Sequence, residues 1–384
     1  MKTLARYEPL LKGYMIMEDG EFYLIDPKNI HEITDSSDVK VIDLAEHPPE
    51  TYAMPLKIQL QATERCNMRC ITCAVYKNRS PSQLTFNQLC DVLDRLSDHG
   101  VLNVQWSGGE PFARKDFPEL VAYATEKGFR QNVYTNATML TEEMTSLSRE
   151  HFFKMQISLD GTKELFEEIT GVKLWNKFEK GLQAIISANV PSIVLATVLQ
   201  EKNVEHMENV IRYAGQSGAG KLRISMLVPI GRSRSVSWNE YSVIIDKFRH
   251  DWPRLKRISS DLNLDVDCFL EKQPCEDIVL GDIAKMVSPG GHSFLYIDSK
   301  GFIYPFPFLA TTKLRLGNII TDDLKEIWIK SEKLAELRSQ TYENIGCGNC
   351  QLECSFAERS LVYAFTGRIN GHALPHAECT QKRR

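Results

Sequence analysis

The sequence predicts an α/β protein whose central sheet is parallel, followed by a smaller cysteine-rich α+β domain. Two observations support this prediction. Short strand-like runs alternate with longer helical stretches through the first part of the chain, and six of the ten cysteines fall into two tight groups. A chain of 384 residues is long enough for one large α/β domain with an appendage.

Six strand-like runs alternate with helical stretches between residues 56 and 231. Helical periodicity is clear in Phe86, Leu89, Leu93 and Leu96, which recur at intervals of three and four residues. Such units imply parallel strands with right-handed crossovers and functional groups at the carboxyl ends of the strands. Six units predict a partial (β/α)6 barrel. The predicted strands are Lys57–Gln61, Asn103–Ser107, Asn132–Thr135, Met155–Leu159, Ile193–Val198 and Leu222–Leu227.

The predicted barrel is flanked by segments of different character. Asp19-Gly20 lies between two apolar runs near the N-terminus and is a hairpin turn signal. In the C-terminal part, a hairpin is predicted from Phe294 to Tyr304 and one helix over Asp323 to Arg338. The predicted units are an N-terminal segment, 1–55; the barrel, 56–235; a helical connection, 236–262; and the cysteine-rich domain, 263–384.

Composition restricts the partners and the compartment. The formal net charge is −4, with 46 Lys and Arg against 50 Asp and Glu, so nothing in the charge indicates a nucleic-acid or anionic-membrane partner. No stretch approaches the ~18 apolar residues needed to span a bilayer, and no signal peptide is recognisable. Clustered cysteines without a signal peptide suggest metal ligation in a reducing compartment. We therefore expect a cytoplasmic protein.

The first cysteine group directly follows the first predicted strand. Cys66, Cys70 and Cys73 place three thiolates on one short loop. This arrangement suits a [4Fe-4S] cluster, which normally takes four ligands, so one iron would keep an open position. Structural zinc is the alternative.

A glycine pair follows the second predicted strand, in Ser107-Gly108-Gly109-Glu110-Pro111. Gly108 and Gly109 permit close backbone approach to a ligand, and Glu110 can accept hydrogen bonds from an ammonium group. An ordinary turn is the alternative interpretation.

In their order along the chain, these motifs resemble those of the radical S-adenosylmethionine (SAM) superfamily. The cysteine spacing is similar to its CxxxCxxC motif, and the glycine pair to its GGEP segment. The resemblance implies that SAM binds the open iron and that the reduced cluster cleaves SAM to a 5′-deoxyadenosyl radical. Tyr134-Thr135-Asn136 and Ser158-Leu159-Asp160-Gly161 resemble two further family segments, which implies that Asn136 and Ser158 contact SAM.

Two positions depart from the family pattern. Thr72 stands where the family often has an aromatic residue near the adenine, so adenine contacts must come from elsewhere. Ala137 replaces the usual glycine after Thr135-Asn136, which puts the conformation of that loop in doubt.

The second cysteine group contains Cys347, Cys350 and Cys354 and is followed by Cys379. Four thiolates can close a site with no open position, which suits electron transfer or structure, and zinc is the alternative ligand. This half resembles the SPASM/twitch extensions of radical SAM enzymes, which hold auxiliary [4Fe-4S] clusters. Phe306 stands where that family has a cysteine, and Ser288-Pro289-Gly290-Gly291 lacks another. The resemblance therefore implies one auxiliary cluster rather than two.

Three further cysteines have weaker signals. Cys90 lies on the apolar side of a predicted helix and is expected in the core. Cys268 and Cys275 are interpreted as structural thiols, with a role as a fourth ligand or hydrogen-atom donor as the alternative.

The resemblance implies radical chemistry on a substrate that the motifs do not identify. Modification of a ribosomally made peptide is the leading hypothesis, and a tetrapyrrole or aminosugar small molecule is the alternative. A reducing partner such as flavodoxin or ferredoxin is implied as well. The charge balance argues against RNA modification, and a non-catalytic metal-binding module would leave the ordered SAM motifs without a purpose.

Overall fold

The computed structural model describes residues 3–18, 21–31, 39–44, 46–48, 51–74, 83–270, 290–310 and 312–339. Within these ranges the strands form two sheets, one of four strands and one of ten. None of the helices in these ranges is long and apolar enough to cross a membrane.

The N-terminal segment forms the smaller sheet, in the order β3-β2-β1-β4. Strands β1 to β3 are antiparallel, and β4 pairs with β1 in parallel. Glu18 pairs with Glu21, so the hairpin predicted at Asp19-Gly20 is confirmed by its flanking strands. The four strands are β1 (Thr3–Glu8), β2 (Gly13–Glu18), β3 (Glu21–Ile25) and β4 (Val39–Ile42).

A buried ion pair ties this small sheet to the large one. The Arg6 guanidinium donates to the carbonyl oxygens of Met54, Pro55 and Gly100 at 2.9 to 3.1 Å, and it pairs with Glu8 at 3.2 Å. Both side chains are fully buried. Because hydrogen bonds satisfy most of the guanidinium, the pair fixes the position of β1 against the barrel.

The large sheet contains the six predicted strands in sequence order as neighbours, all parallel. Each predicted strand is confirmed within three residues at either end. The described sheet is open, with edges at its first and last strands, and is compatible with a partial barrel. The six strands are β5 (Lys57–Thr63), β6 (Asn103–Gly108), β7 (Arg130–Thr135), β8 (Phe152–Ser158), β9 (Ser192–Val198) and β10 (Lys221–Ser225).

The sheet continues beyond the six strands on both sides. β11 (Asp265–Cys268) pairs with β10 in parallel, and β12 (Phe294–Ile297) pairs with β5 in parallel. The predicted hairpin is confirmed, since β12 pairs antiparallel with β13 (Phe302–Tyr304), which pairs with β14 (Gly317–Asn318). The described part of the C-terminal region therefore extends the barrel sheet. Its strands complete the backbone hydrogen bonds of β5 and β10.

Helices cover the sheet through apolar faces. In the first helix, Leu89, Leu93 and Leu96 are buried as their spacing predicts, and Thr85 with Gln88 forms a capping box at its start. The helices are α1 (Phe86–Asp98), α2 (Phe117–Glu126), α3 (Glu142–His151), α4 (Lys163–Thr170), α5 (Trp175–Ser187), α6 (Met207–Ser217), α7 (Trp238–Asp261), α8 (Leu324–Lys330) and α9 (Glu332–Arg338).

The single helix predicted over Asp323 to Arg338 was wrong, because the structure has two short helices there. Ser331 lies between α8 and α9 with an extended ψ of 115°. Its side chain accepts a hydrogen bond from the backbone N–H of Leu334, so it caps the second helix.

Candidate functional site

The first cysteine group lies on the loop that follows β5, and we call residues 64–74 the cysteine loop. Cys66, Cys70 and Cys73 are all partly exposed and none is in a disulfide. Burial raises the pKa of the Cys70 thiol, and Asp160 and the other two cysteines raise it further. These thiols therefore lie close enough to influence one another, and a positive charge such as iron would favour ionisation of Cys70.

The three thiols do not converge on one point. Among the described residues, no group of three or more His, Cys, Asp or Glu side chains is placed to hold a single metal ion. Ligands of a polynuclear cluster attach to different irons and need not meet at one point. Three thiols on one loop match the three protein ligands of a [4Fe-4S] cluster that keeps one open iron position.

Backbone hydrogen bonds fix the cysteine loop from two sides. Arg69 N donates to Thr170 O at 2.8 Å and Ile71 N to Ile169 O at 3.0 Å, which attaches the loop to the end of α4. On the other side, Arg232 donates from its backbone N to Cys73 O and from Nη1 to Cys70 O, at 3.0 and 3.1 Å. The loop is thus held in place independently of any ligand.

The contribution of Gly231 and Arg232 was missed by the sequence analysis. A Cβ atom at Gly231 would lie 2.2 Å from the carbonyl oxygen of Cys73, so only glycine permits this approach. The available signal was a glycine followed by arginine in a loop after the sixth predicted strand, where functional groups are expected.

The glycine pair is in close contact with protein backbone. A Cβ atom at Gly108 would lie 2.5 Å from Thr63 O, and one at Gly109 would lie 2.2 Å from Arg65 O. Gly109 N donates to Thr63 O at 2.8 Å, and Glu110 N donates to Arg65 O at 2.7 Å. The glycines therefore join the end of β6 to the start of the cysteine loop, and this places the Glu110 side chain.

Glu110 is almost completely buried and accepts hydrogen bonds through both carboxylate oxygens. Thr135 Oγ1 and Asn136 N donate at 2.7 Å each, and Phe112 N donates at 3.3 Å. Burial raises the pKa of Glu110 to about 7, and these hydrogen bonds oppose the shift. Within the described part of the chain, Glu110 has no ion-pair partner. A buried carboxylate in this state is suited to receive a cationic or hydrogen-bond-donating group.

Asn136 connects the loop after β7 to the cysteine loop. Its Nδ2 donates to Asn67 Oδ1 at 2.9 Å and lies 3.9 Å from Cys66 Sγ. Its Oδ1 accepts from Thr138 N and Oγ1 at 3.0 and 2.6 Å. Asn67 in turn donates to Thr138 Oγ1 at 2.8 Å, so both sides of the contact are fixed.

Ala137 adopts the left-handed conformation that the family's glycine would favour, with a φ of +59°. The loop therefore keeps this conformation despite the alanine. Helix α5 packs closely against this loop, since a Cβ atom at Gly181 would lie 1.9 Å from Ala137 O.

Ser158 and Asp160 follow the fourth barrel strand but differ in environment. Ser158 is exposed at the end of β8. Asp160 is buried, accepts a hydrogen bond from Val198 N at 2.8 Å, and has its pKa raised to about 6 by desolvation. The structure thus brings the cysteine loop, Glu110 and Asn136 into one hydrogen-bonded group, whereas Ser158 lies at its own strand end.

Comparison with known proteins identifies this arrangement. The sequence model of the radical SAM superfamily matches residues 60–214, and that of an iron-sulfur cluster-binding domain, SPASM, matches residues 289–354. Mycofactocin maturase MftC of Mycobacterium tuberculosis is 30% identical over 303 residues, covering 77% of this chain and 75% of that protein. The chain belongs to the radical SAM superfamily.

Other relatives of this radical SAM protein are named for different activities. The PqqA peptide cyclase of Bradyrhizobium diazoefficiens is 27% identical over 334 residues, covering 83% of this chain and 85% of that protein. The AdoMet-dependent heme synthase of Methanosarcina barkeri is 27% identical over 337 residues, covering 82% of this chain and 93% of that protein.

A solved structure shows that the fold is shared. Streptococcus suis SuiB bound to its precursor peptide SuiA superposes with a TM-score of 0.69 over 98% of each chain, at 16% identity. The predicted α/β architecture with a SPASM region is confirmed. The protein is a radical SAM iron-sulfur enzyme that uses SAM and [4Fe-4S] clusters.

The second cysteine group of this radical SAM enzyme lies outside the described residues, as do Cys275 and the Ser288-Pro289 dipeptide. Phe306 is described, and its ring lies 5.2 Å from Phe294 and 5.4 Å from Phe308 between centroids. An aromatic contact therefore occupies the position at which the SPASM/twitch pattern predicts a cysteine. Cys268 is fully buried in the hydrophobic core, and Cys90 is partly buried against it.

Proposed function

We propose that Cys66, Cys70 and Cys73 hold the [4Fe-4S] cluster that binds SAM, and that this site initiates radical modification of a peptide. The three thiols share one loop at the carboxyl end of β5, where parallel α/β folds expose reactive groups. All three residues are partly exposed, which makes their thiols accessible to a cluster.

The buried carboxylate of Glu110 is the observation that carries this proposal. Glu110 is hydrogen-bonded to Asn136, whose side chain lies 3.9 Å from Cys66 Sγ. A molecule bound beside the cysteine loop would therefore contact the Glu110 carboxylate. The amino group of SAM would add a further hydrogen-bond donor and would supply the positive charge that Glu110 lacks among the described residues. Gly108 and Gly109 act by placing Glu110, because their contacts with the end of β5 set its backbone position.

Cys66, Cys70 and Cys73 would hold a cluster that, once reduced, would supply one electron for cleavage of SAM and so start hydrogen abstraction from the substrate. The chain's own residues position the reactants. Arg232 holds the cysteine loop at Cys70 and Asn136 holds it at Asn67, and Ser158 offers an exposed hydroxyl at the next strand end for the ribose or carboxylate of SAM.

A peptide substrate is favoured by two of the relatives. One is a peptide cyclase with 27% identity over 83% of this chain, and the other is a peptide-bound enzyme with the same fold over 98% of it. The second candidate is a tetrapyrrole, which the heme synthase relative favours because 93% of that protein is covered. Similar folds support different reactions, so the substrate has to be tested directly.

We also propose that Cys347, Cys350, Cys354 and Cys379 hold one auxiliary [4Fe-4S] cluster. Four thiolates satisfy a cluster without an open position. The aromatic contact of Phe306 removes one ligand that a further cluster would need.

Reductive cleavage of SAM tests the first part of the proposal. Anaerobically reconstituted enzyme should produce 5′-deoxyadenosine with dithionite, and the variant with Cys66, Cys70 and Cys73 changed to Ala should not. Cys90→Ala is the matched control, since Cys90 lies on α1 away from the loop. Undiminished cleavage by the triple variant would refute the assignment.

A substrate assay tests the second part. The enzyme should change the mass of a short precursor peptide encoded beside its own gene, whereas haem precursors should remain unchanged. Turnover of a tetrapyrrole without any change in the peptide would establish the second candidate instead.

A further inference from the structure

A groove lies on the helical layer beside the cysteine loop, between α3 and α5. It encloses about 1190 Å³, and one of its lining residues is Asn67, the neighbour of Cys66. We call it the lysine groove. Its lining consists of Asn67, Thr138, Met139, Leu140, Thr141, Thr145, Val172, Lys173, Leu174, Lys177, Lys180, Gly181, Ala184, Ser187 and Ala188.

The charge of the lysine groove has one sign. Lys173, Lys177 and Lys180 are exposed, and none of the lining residues just named is Asp or Glu. No salt bridge is formed by these three lysines among the described residues. Arg69, exposed on the cysteine loop and hydrogen-bonded through its backbone to Thr170, adds a fourth cation beside Gly171.

The three lysines lie on one wall of the groove. Lys173 precedes α5, and Lys177 and Lys180 lie in its first half. Partly buried Met139 and Leu140, from the loop after β7, supply apolar surface in the same lining. Apolar surface beside charges of one sign is suited to transient association with a partner of opposite charge.

Two residues that line the groove, Asn67 and Thr138, are connected to Cys66 by a short series of hydrogen bonds. Asn67 follows Cys66 in the chain and donates to Thr138 Oγ1 at 2.8 Å, and Asn136 links Asn67 to the Cys66 sulfur. A carrier protein bound in the groove would therefore lie beside the cysteine loop.

We propose that the lysine groove is the docking site of a small acidic electron-carrier protein. This inference rests on the proposed function of the cysteine loop. The carrier gives up one electron and is oxidised, the SAM-binding cluster accepts it and is reduced, and no covalent bond forms or breaks. Complexes between electron-carrier proteins and their partners have small interfaces and short lifetimes, and opposite charges speed their formation.

Charge reversal at the three lysines tests the docking site. The holoenzyme with Lys173, Lys177 and Lys180 changed to Glu should be reduced by flavodoxin hydroquinone about tenfold more slowly or worse at low ionic strength. The readout is the bleaching of cluster absorbance after rapid mixing, with flavodoxin binding measured in parallel by biolayer interferometry. The difference from wild type should shrink as salt is raised, because salt screens the attraction.

Two controls separate the possible failures. A variant with the exposed lysines Lys28, Lys256 and Lys313 changed to Glu has the same net charge change and should be reduced at the wild-type rate. SAM cleavage driven by dithionite should be equal in wild type and both variants. If wild type cleaved no SAM with dithionite, the proposed function would fail rather than the docking site.

Three outcomes would overturn the docking proposal. The first is unchanged reduction and binding of flavodoxin by the groove variant, measured also with ferredoxin as the donor. The second is an equal loss in the control variant, which would indicate an effect of net charge. The third is a selective loss of peptide binding with normal reduction, which would make the groove a substrate site.

Discussion

Glu110 and Asn136 are joined by a 2.7 Å hydrogen bond, in which the backbone N–H of Asn136 donates to Oε2 of the buried carboxylate. The Asn136 side chain then reaches Asn67 and Cys66 on the cysteine loop. Two strand ends and the loop therefore form one connected unit. Substitutions in this unit should therefore alter SAM binding, the properties of the cluster, or both.

The affinity for SAM should depend on pH through Glu110. Its pKa is raised to about 7 in the folded protein, so the carboxylate is mostly ionised at pH 8 and mostly protonated at pH 6. The ionised fraction falls about tenfold over this range, and SAM should bind about tenfold more weakly at pH 6. Isothermal titration with and without the Glu110→Gln change would measure this.

The Glu110→Gln variant serves as the control for the pH effect. It should bind SAM more weakly than wild type at pH 8 with little change in iron content. The wild-type to variant affinity ratio removes the titration of SAM itself. A ratio that stays constant from pH 6 to pH 8 would contradict the assignment of Glu110.

The Asn136 amide should influence the reduction potential of the SAM-binding cluster. Hydrogen bonds to cluster sulfur atoms raise such potentials, and Asn136 Nδ2 is directed at Cys66 from 3.9 Å. Asn136→Ala should therefore lower the midpoint potential in an EPR-monitored titration. Asn209→Ala, on the exposed side of α6, should leave it unchanged. A potential that rises or stays constant in the Asn136 variant would argue against this contact.

The close approach of α5 to Ala137 should make Gly181 intolerant of any side chain. A Cβ atom there would lie 1.9 Å from Ala137 O, so helix and loop would have to separate. We expect Gly181→Ala to lower the free energy of unfolding by more than about 2 kcal/mol and to weaken SAM binding.

Gly220→Ala is the matched control for Gly181, because a Cβ atom there meets nothing within 4 Å. It should change the free energy of unfolding by less than about 1 kcal/mol. Denaturant titration of both variants would check the pair. Equal stability of the two would show that the helix can move away at no cost.

The C-terminal cysteines should account for half of the iron. We expect about eight irons per fully loaded chain and about four in a variant with Cys347 and Cys350 changed to Ala. Mössbauer spectra should show SAM perturbing only the remaining cluster. Tightly bound zinc, or iron consistent with a third cluster, would contradict the assignment of one auxiliary cluster.

The sequence by itself determined the barrel strands and the order of the motifs. Apolar runs such as Ile193–Val198 are short and regularly spaced, and this periodicity depends only on local structure. The same reasoning failed at Ser331, where a serine within a helical pattern caps a new helix instead of continuing the old one. The choice between these depends on packing that the local pattern does not encode.

Only the tertiary structure decided which residues hold the cysteine loop. Arg232 lies 162 positions after Cys70, and Asn136 lies 70 positions after Cys66, so no local pattern could pair them. The state of Glu110 has the same origin. Its motif predicted a carboxylate beside a ligand, but its pKa is raised to about 7 because surrounding chain segments remove it from water, and that desolvation exists only in the folded protein.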